Sequence, residues 1–204
     1  MTTIYDVLIL GGGAAGMSCA LVLGSAQNKP FGKDRKVGIV LHQRASALDR
    51  AVFYNALGVE PGLKGIDILQ KGAEQIAKYY PKVELITKEK VLDIQENNSL
   101  FTVRTNKNSY QAKKVVIAIG PSNLNQFEGM KSYIIPHKKI EAVKERIQLK
   151  NTDHLVKKDL YVAGVLAGHR SQFAIACGSG AAVATDILTE WNDGKHTMIH
   201  DAID

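Results

Sequence analysis

Residues 8–23, LILGGGAAGMSCALVL, decide how this chain reads. The run Tyr5 to Leu10 is almost continuously apolar, the pattern of a strand buried on both faces. Three glycines follow it, and from Ala14 small and apolar residues continue as a helix. The spacing Gly11-x-Gly13-x-x-Gly16 between a buried strand and a helix carries specific chemistry. The first glycine permits a tight turn, the second lets a pyrophosphate approach the backbone, and the third lets the helix lie close on the strand. Ala14 and Ala15 open the helix, whose unpaired N–H groups and positive dipole end face an anion. A tight turn with no ligand is the alternative, and the complete strand–turn–helix context argues against it.

Bulk composition narrows the class. Apolar residues make up 45% and charged residues 23% of 204, which suits one globular domain with its own core. No apolar run reaches the roughly 20 residues that span a bilayer, so no membrane partner is expected. The start of the chain lacks a basic segment before its first apolar run, so no export signal is read there. Cys19 and Cys177 stand far apart without a CxxC, which fits a reducing, cytoplasmic setting. The net charge of +6 is scattered over loops. No aromatic-interleaved basic stripe supports nucleic-acid binding, and the milder consequence is attraction of anionic ligands.

Outward from the glycines the chain alternates strands and helices. VGIVLH (37–42) reads as a second buried strand and residues 45–65 as irregular. A helix from Ile66 to Tyr80 is stopped by Pro81. Four strand-like segments follow: 83–87, 91–95, 100–105 and 109–120. They are expected to form a small antiparallel meander, with Glu96 to Ser99 as a hairpin turn. Residues 136–149 allow a short helix, or a helix and a strand. DLYVAG (159–164) is another buried strand, and 171–191 a long helix of small residues. The expected fold is α/β and Rossmann-like, a parallel sheet with helices plus the meander. Residues 1–204 read as one domain.

The fingerprint calls for an acid at the end of the second strand, to accept from ribose hydroxyls. This chain has His42 and Gln43 there, followed by Arg44. A neutral His42 can accept one hydrogen bond, and bidentate ribose capture is lost. Arg44 leaves open a 2′-phosphate and hence NADP.

With these segments in view, the chain resembles the FAD-binding domain of low-molecular-weight thioredoxin reductases. The family's "ATG" strand end is similar to Ala118-Ile119-Gly120, and its "AGD" to Ala163-Gly164-Val165. Its "RQAxxAAGDG" run is similar to residues 171–180, and its "N-x-P-G" loop to Asn55-Ala56-Leu57-Gly58. The resemblance covers 4–120 and 155–192 in order. In that family an NADPH domain with its own glycine fingerprint and the redox CxxC follows the "ATG" strand. Here only about 40 residues separate Gly120 from Leu160, too few for such a domain. The expected organisation is therefore two FAD-domain halves, about 1–120 and 155–192, joined by a short 121–154 connection.

The resemblance implies FAD as cofactor, with Gln172, Phe173 and Ala174 at the helix end facing the flavin. Two family aspartates are replaced, by Val165 and Ser179. It also implies an oxidoreductase taking electrons from free NAD(P)H or a partner protein. A non-catalytic flavin or nucleotide module is the alternative, and a flavin-free NAD(P)-binding protein a third reading. Cys177, in the first turns of the last helix, is the one candidate redox side chain, because a helix N-terminus lowers a thiol pKa. His137, His154, His196 and His200 show no metal-ligand spacing. A homodimer is expected through apolar residues at 45–65 (Val52, Phe53, Leu57) and 121–158 (Phe127, Met130, Tyr133, Ile134, Ile135).

Overall fold

The computed structural model describes residues 3–42, 46–120 and 127–199. Gln43 and Arg44 lie outside the described residues. In chain order the elements are β1 (Ile4–Leu10), α1 (Ala14–Ser25), β2 (Val37–Leu41), a hairpin of β3 (Val52–Phe53) and β4 (Leu63–Lys64), α2 (Gly65–Tyr79) and β5 (Val83–Thr87). They continue as β6 (Val91–Asn97), β7 (Leu100–Thr105), β8 (Ser109–Ile117), β9 (Ile134–Pro136), β10 (Ile147–Leu149), β11 (Leu155–Lys157), β12 (Leu160–Val162) and α3 (Phe173–Trp191).

The main sheet runs β11-β12-β8-β1-β2-β5, and all its pairings are parallel except β11 with β12. β1 and its neighbours are apolar on both faces because both faces are covered. On one side Val7 and Ile9 pack with α1, α2 and α3, through Cys19, Leu23, Ile76, Val183 and Ile187. On the other, Leu8 and Leu10 pack against the meander, through Ile94, Phe101 and Val103. Alternation of side chains along the strand sends them to opposite layers.

The meander is smaller than the sequence suggested. Residues 83–87 do not join it; β5 pairs parallel with β2 as the edge of the main sheet. The meander is β6-β7-β8, turned at Asn98 and Ser99, both with positive φ as a tight two-residue hairpin turn requires. The connection between Gly120 and β11 holds no α-helix among its described residues. Residues 142–144 make a single 3-10 turn, and β9 and β10 pair antiparallel.

This connection also corrects the expected dimer surface. Phe127 and Met130 are buried, and Tyr133 and Ile134 pack on the same core. They cover the meander face of the chain's own sheet. The 52–57 region behaves differently: Phe53 is buried, while Val52, Tyr54 and Leu57 remain exposed.

Two glycines set how closely the helices sit. A Cβ on Gly16 would run into the carbonyl of Gly11, and one on Gly180 into the carbonyl of Ala15. α3 therefore rests backbone-to-backbone on α1. Gly180→Ala is expected to destabilise the fold by about 1–3 kcal/mol, the usual cost of overpacking a tight seam. The urea midpoint measures this, and an unchanged midpoint would contradict the contact.

Candidate functional site

The carboxyl ends of β1, β8 and β12 lie side by side and are stitched together beyond the strands. Gly11 N–H donates to the Val40 carbonyl, Ala118 N–H to that of Leu10, and Ala163 N–H to that of Ile117. From β1 the chain passes to β2 on one side and later returns through β8 and β12 on the other. The sheet therefore changes direction beside β1, and ligands of open α/β sheets bind outside the strand ends at such a point.

Three glycines of this end need their freedom. Gly11 holds φ +112°, and a Cβ there would stand 2.5 Å from the Ala118 carbonyl oxygen. Gly120 and Gly164 hold φ +69° and +75°, the left-handed region that favours glycine. Gly13 is different: its backbone is extended and the space beside its Cα is open, the nearest atom being Ser46 Oγ at 3.7 Å. It caps α1, and among the described residues no side-chain cap bond is made to the α1 N-terminus. Gln172 caps α3 in the same way, also without a side-chain bond. Gly164 lies against Ala15, so close that a Cβ on it would stand 3.3 Å from the alanine methyl. The first turn of α1 thus meets the Gly164 turn and, two turns into α3, Gly180, beside the room for an anion that Gly13 leaves. This arrangement fits the pyrophosphate of a dinucleotide.

The other expected ligands divide. Ile119 and Gly120 stand at the end of β8 as expected, and Val165 follows Gly164 in a 3-10 turn over residues 164–167. Asn55 is exposed in the β3–β4 hairpin, and His42 is exposed just past β2. Phe173 turns toward the hairpin, where its ring lies 4.9 Å from that of Phe53. Gln172 and Ala174 are exposed at the start of α3. A cleft of about 410 Å³ opens between α1, α2, the hairpin and α3, lined by Ala14, Met17, Leu63, Leu69, Phe173 and Cys177 among others.

Cys177 is half-buried beside Ser18, and burial pushes its thiol up, outweighing the lowering by that hydroxyl. This direction is opposite to the lowering expected at a helix N-terminus. Cys19 is wholly buried in the helix layer and is shifted up by desolvation alone. Among the described residues no group of three or more His, Cys, Asp or Glu is arranged to hold a metal ion. None of the described helices is long and apolar enough to cross a membrane.

The sequence missed a group of histidines here. His137 is buried, and its Nδ1 accepts the Lys139 N–H at 3.1 Å. Its Nε2–H therefore points to the carbonyls of Val165 and His169, each at 3.2 Å. His154 Nε2 lies 3.0 Å from His169 Nε2 and 3.1 Å from Ser179 Oγ. Ser179 Oγ accepts the Gly164 N–H at 2.8 Å. Burial lowers both His154 and His169 below the ordinary histidine range. Positions 137, 154 and 169 come from separate segments, so no local spacing announces them. The left-handed backbone at Asp153 and His154 is visible only in the fold.

Comparison with known proteins agrees with this geometry. The family model for pyridine nucleotide-disulphide oxidoreductases matches residues 5–183. A ferredoxin–NADP reductase of Leuconostoc mesenteroides is 27% identical over 208 residues, 98% of this chain and 54% of that protein. One from Streptococcus mutans is 29% identical over 119 residues, 57% of this chain and 34% of its own length. The chain thus spans about a third to a half of these relatives. A thioredoxin reductase from Gloeobacter violaceus superposes with a TM-score of 0.70 at 14% identity, covering 100% of both chains. A ferredoxin-flavin thioredoxin reductase from Clostridium acetobutylicum gives 0.67 at 17% identity, over 95% of this chain and 100% of the other. These likenesses bear out the Rossmann-like fold of the thioredoxin reductases.

The thiols make a direct check of the local electrostatics. Because burial raises Cys177 and Cys19, the native protein should react with a chromogenic aryl disulfide at pH 7 about tenfold more slowly than free cysteine. Its rate should keep climbing at pH values where free cysteine has levelled off. A fast-reacting Cys177 at neutral pH would show the helix dipole prevailing instead.

Proposed function

The chain belongs to the pyridine nucleotide-disulphide oxidoreductase family, and on that premise we propose that it is an FAD-binding electron-transfer protein that works without an inserted nicotinamide domain. The observation that carries this reading is the contact of the first turn of α1, at Ala15, with the Gly164 turn and with Gly180 of α3, beside the open face of Gly13. When bound, FAD supplies the acceptance and release of electrons; the protein supplies binding and orientation. Gly11, Gly13 and Gly16 shape the pyrophosphate cradle, and the N–H groups opening α1 satisfy its charge. Gln172 and the first turn of α3 direct N–H groups and a positive dipole end toward the flavin. His42 and Gln43 take the place of the ribose-binding acid. The chain is proposed as one domain, its halves 1–120 and 155–192 joined directly by 121–154.

An external donor follows from the organisation. The chain holds one dinucleotide fingerprint and no CxxC. Residues 121–172 carry nine Lys and Arg against five Asp and Glu, four of the chain's six net positive charges. Exposed Lys138, Lys139 and Arg170 stand on or beside the loop leading into α3. Such a surface favours an acidic electron-carrier protein, and it equally attracts free NAD(P)H. Two unpaired cysteines support a cytoplasmic setting. Exposed Val52, Tyr54, Leu57 and Ile66 around the hairpin support pairing of two copies. The second reading, a flavin module without activity of its own, draws on Val165 and Ser179, which replace the charged residues of the resembling family.

The purified protein should retain FAD, and Gly13→Asp should lose it, because a carboxylate then fills the anion cradle. Full cofactor loading in Gly13→Asp would sink the assignment. Bleaching of the bound flavin by NAD(P)H, or only by a reduced carrier protein, separates the two donors; no bleaching by either favours the passive module. Light scattering should give about twice the 22.2 kDa chain mass, and a mass holding at 22.2 kDa at high concentration would exclude the pair.

A further inference from the structure

His154, His169 and Ser179 form a chain of polar atoms that ends on the backbone of the cofactor turn. Their donors and acceptors can be assigned. Ser179 Oγ accepts the Gly164 N–H at 2.8 Å, so its hydroxyl hydrogen is free for His154 Nε2 at 3.1 Å. His154 Nε2 then acts as an acceptor, and His169 supplies an Nε2–H to it across 3.0 Å. One lone pair therefore receives two donors, an arrangement available only to neutral His154.

The placement of His154 is itself enforced. Asp153 and His154 hold φ of +45° and +69°, the left-handed region that non-glycine residues adopt only at a cost. The backbone is held there from both sides: Asn151 Oδ1 accepts the His154 N–H, and Val162 N–H donates to the His154 carbonyl. Strain kept by such ties marks a side chain whose aim matters. The turn it reaches is also held from the connection, where His137 Nε2–H meets the carbonyls of Val165 and His169.

We infer that His154 is a positioning residue for the cofactor, strengthening the hold of Ser179 on the Gly164 turn while neutral and weakening it when protonated. This rests on the cofactor reading above. A proton on His154 Nε2 turns the acceptor into a donor. Ser179 Oγ then accepts from the imidazolium as well as from the Gly164 N–H and no longer donates to His154, so the Gly164 bond is weakened. His169 must carry its proton on Nδ1 instead or swing out.

The charged neighbours of the two rings differ. Asp153 and Asp186 favour a proton on His154, whereas Lys139 and His137 oppose one on His169. Burial lowers both imidazoles, so at neutral pH the pair is uncharged. The stabilisation it gives is complete above the ordinary histidine range, about pH 6.5, and fades as pH falls through the lower folded value. Asp186, which favours a charged His154, is itself raised by burial.

Two measurements test this. In the FAD-loaded protein, the dissociation constant for FAD should rise about tenfold between about pH 7.5 and pH 5, and His154→Gln, which accepts from Ser179 but carries no proton, should remove most of that rise. In the same protein stripped of FAD, the Gly164 amide resonance should titrate with the His154 ring in NMR spectra, and Ser179→Ala should uncouple them. An equal pH dependence in wild type and His154→Gln, or a Gly164 amide that ignores the His154 midpoint, would overturn the inference. A chain that binds no FAD at any pH defeats the cofactor reading alone, because the Gly164 titration still decides the role of His154. Circular dichroism and the thermal midpoint at pH 7.5 show that the variants are folded.

Discussion

The cofactor end of this protein depends on helix backbones being allowed to touch. Gly16 brings α1 against the turn that follows β1, and Gly180 lays α3 across the first turn of α1 at Ala15. Side chains at those two points would separate the helices by the width of a methyl group or more. The Gly164 turn would then lose its seat against Ala15. Every later feature of the site inherits its position from these contacts: the open space at Gly13, the aim of α3, and the reach of Ser179 to Gly164. Glycine here acts by absence of volume.

The connection shows how the sheet is completed without an inserted domain. Two faces need cover, and α1, α2 and α3 supply only one. On the other, the meander is widened by Phe127, Met130 and Leu149, which close over Ile94 and Phe101. With its apolar residues committed there, the connection turns its polar ones to the strand ends. Gln148 Oε1 accepts the Lys138 N–H, and this ties the β9–β10 hairpin beside His137. This segment therefore both seals a core and reaches the Gly164 turn.

Much of this was legible in the sequence. The strand–glycine–helix unit, the buried strands at 37–41, 109–117 and 160–162, and α3 announced themselves because both-face burial leaves continuous apolar runs. The placement of 83–87 was not legible. VELIT alternates as an edge strand does, whether it pairs with β2 or with β6, and only the sheet decides. The apolar run at 127–135 reads equally as a surface or a core, since burial there comes from residues far away in sequence. At Cys177 a local rule, the helix dipole, and a nonlocal effect, desolvation, act in opposite directions, and only the second needs the fold to be seen. The histidine cluster was invisible for the same reason: its geometry is wholly tertiary.

The last piece of the architecture concerns β12, which has only three residues. So short a strand is weakly held by its ladder, yet it carries the cofactor turn at its end. α3 secures it at both ends. Before β12 begins, Lys114, almost fully buried, is paired with Asp159 and with Glu190 near the end of α3. After β12 ends, Ser179 near the start of α3 takes the Gly164 N–H. Along a helix, 11 residues rise about 16 Å, roughly the span of a short strand and its flanking turns. A buried ion pair contributes little net stability, because desolvation offsets its attraction, but its geometry fixes register. The neutral bond at Ser179 has no such desolvation cost and can open without leaving a charge buried. The two ties therefore differ in kind: the ionic one sets where β12 lies, and the neutral one leaves its far end responsive to the protonation of His154.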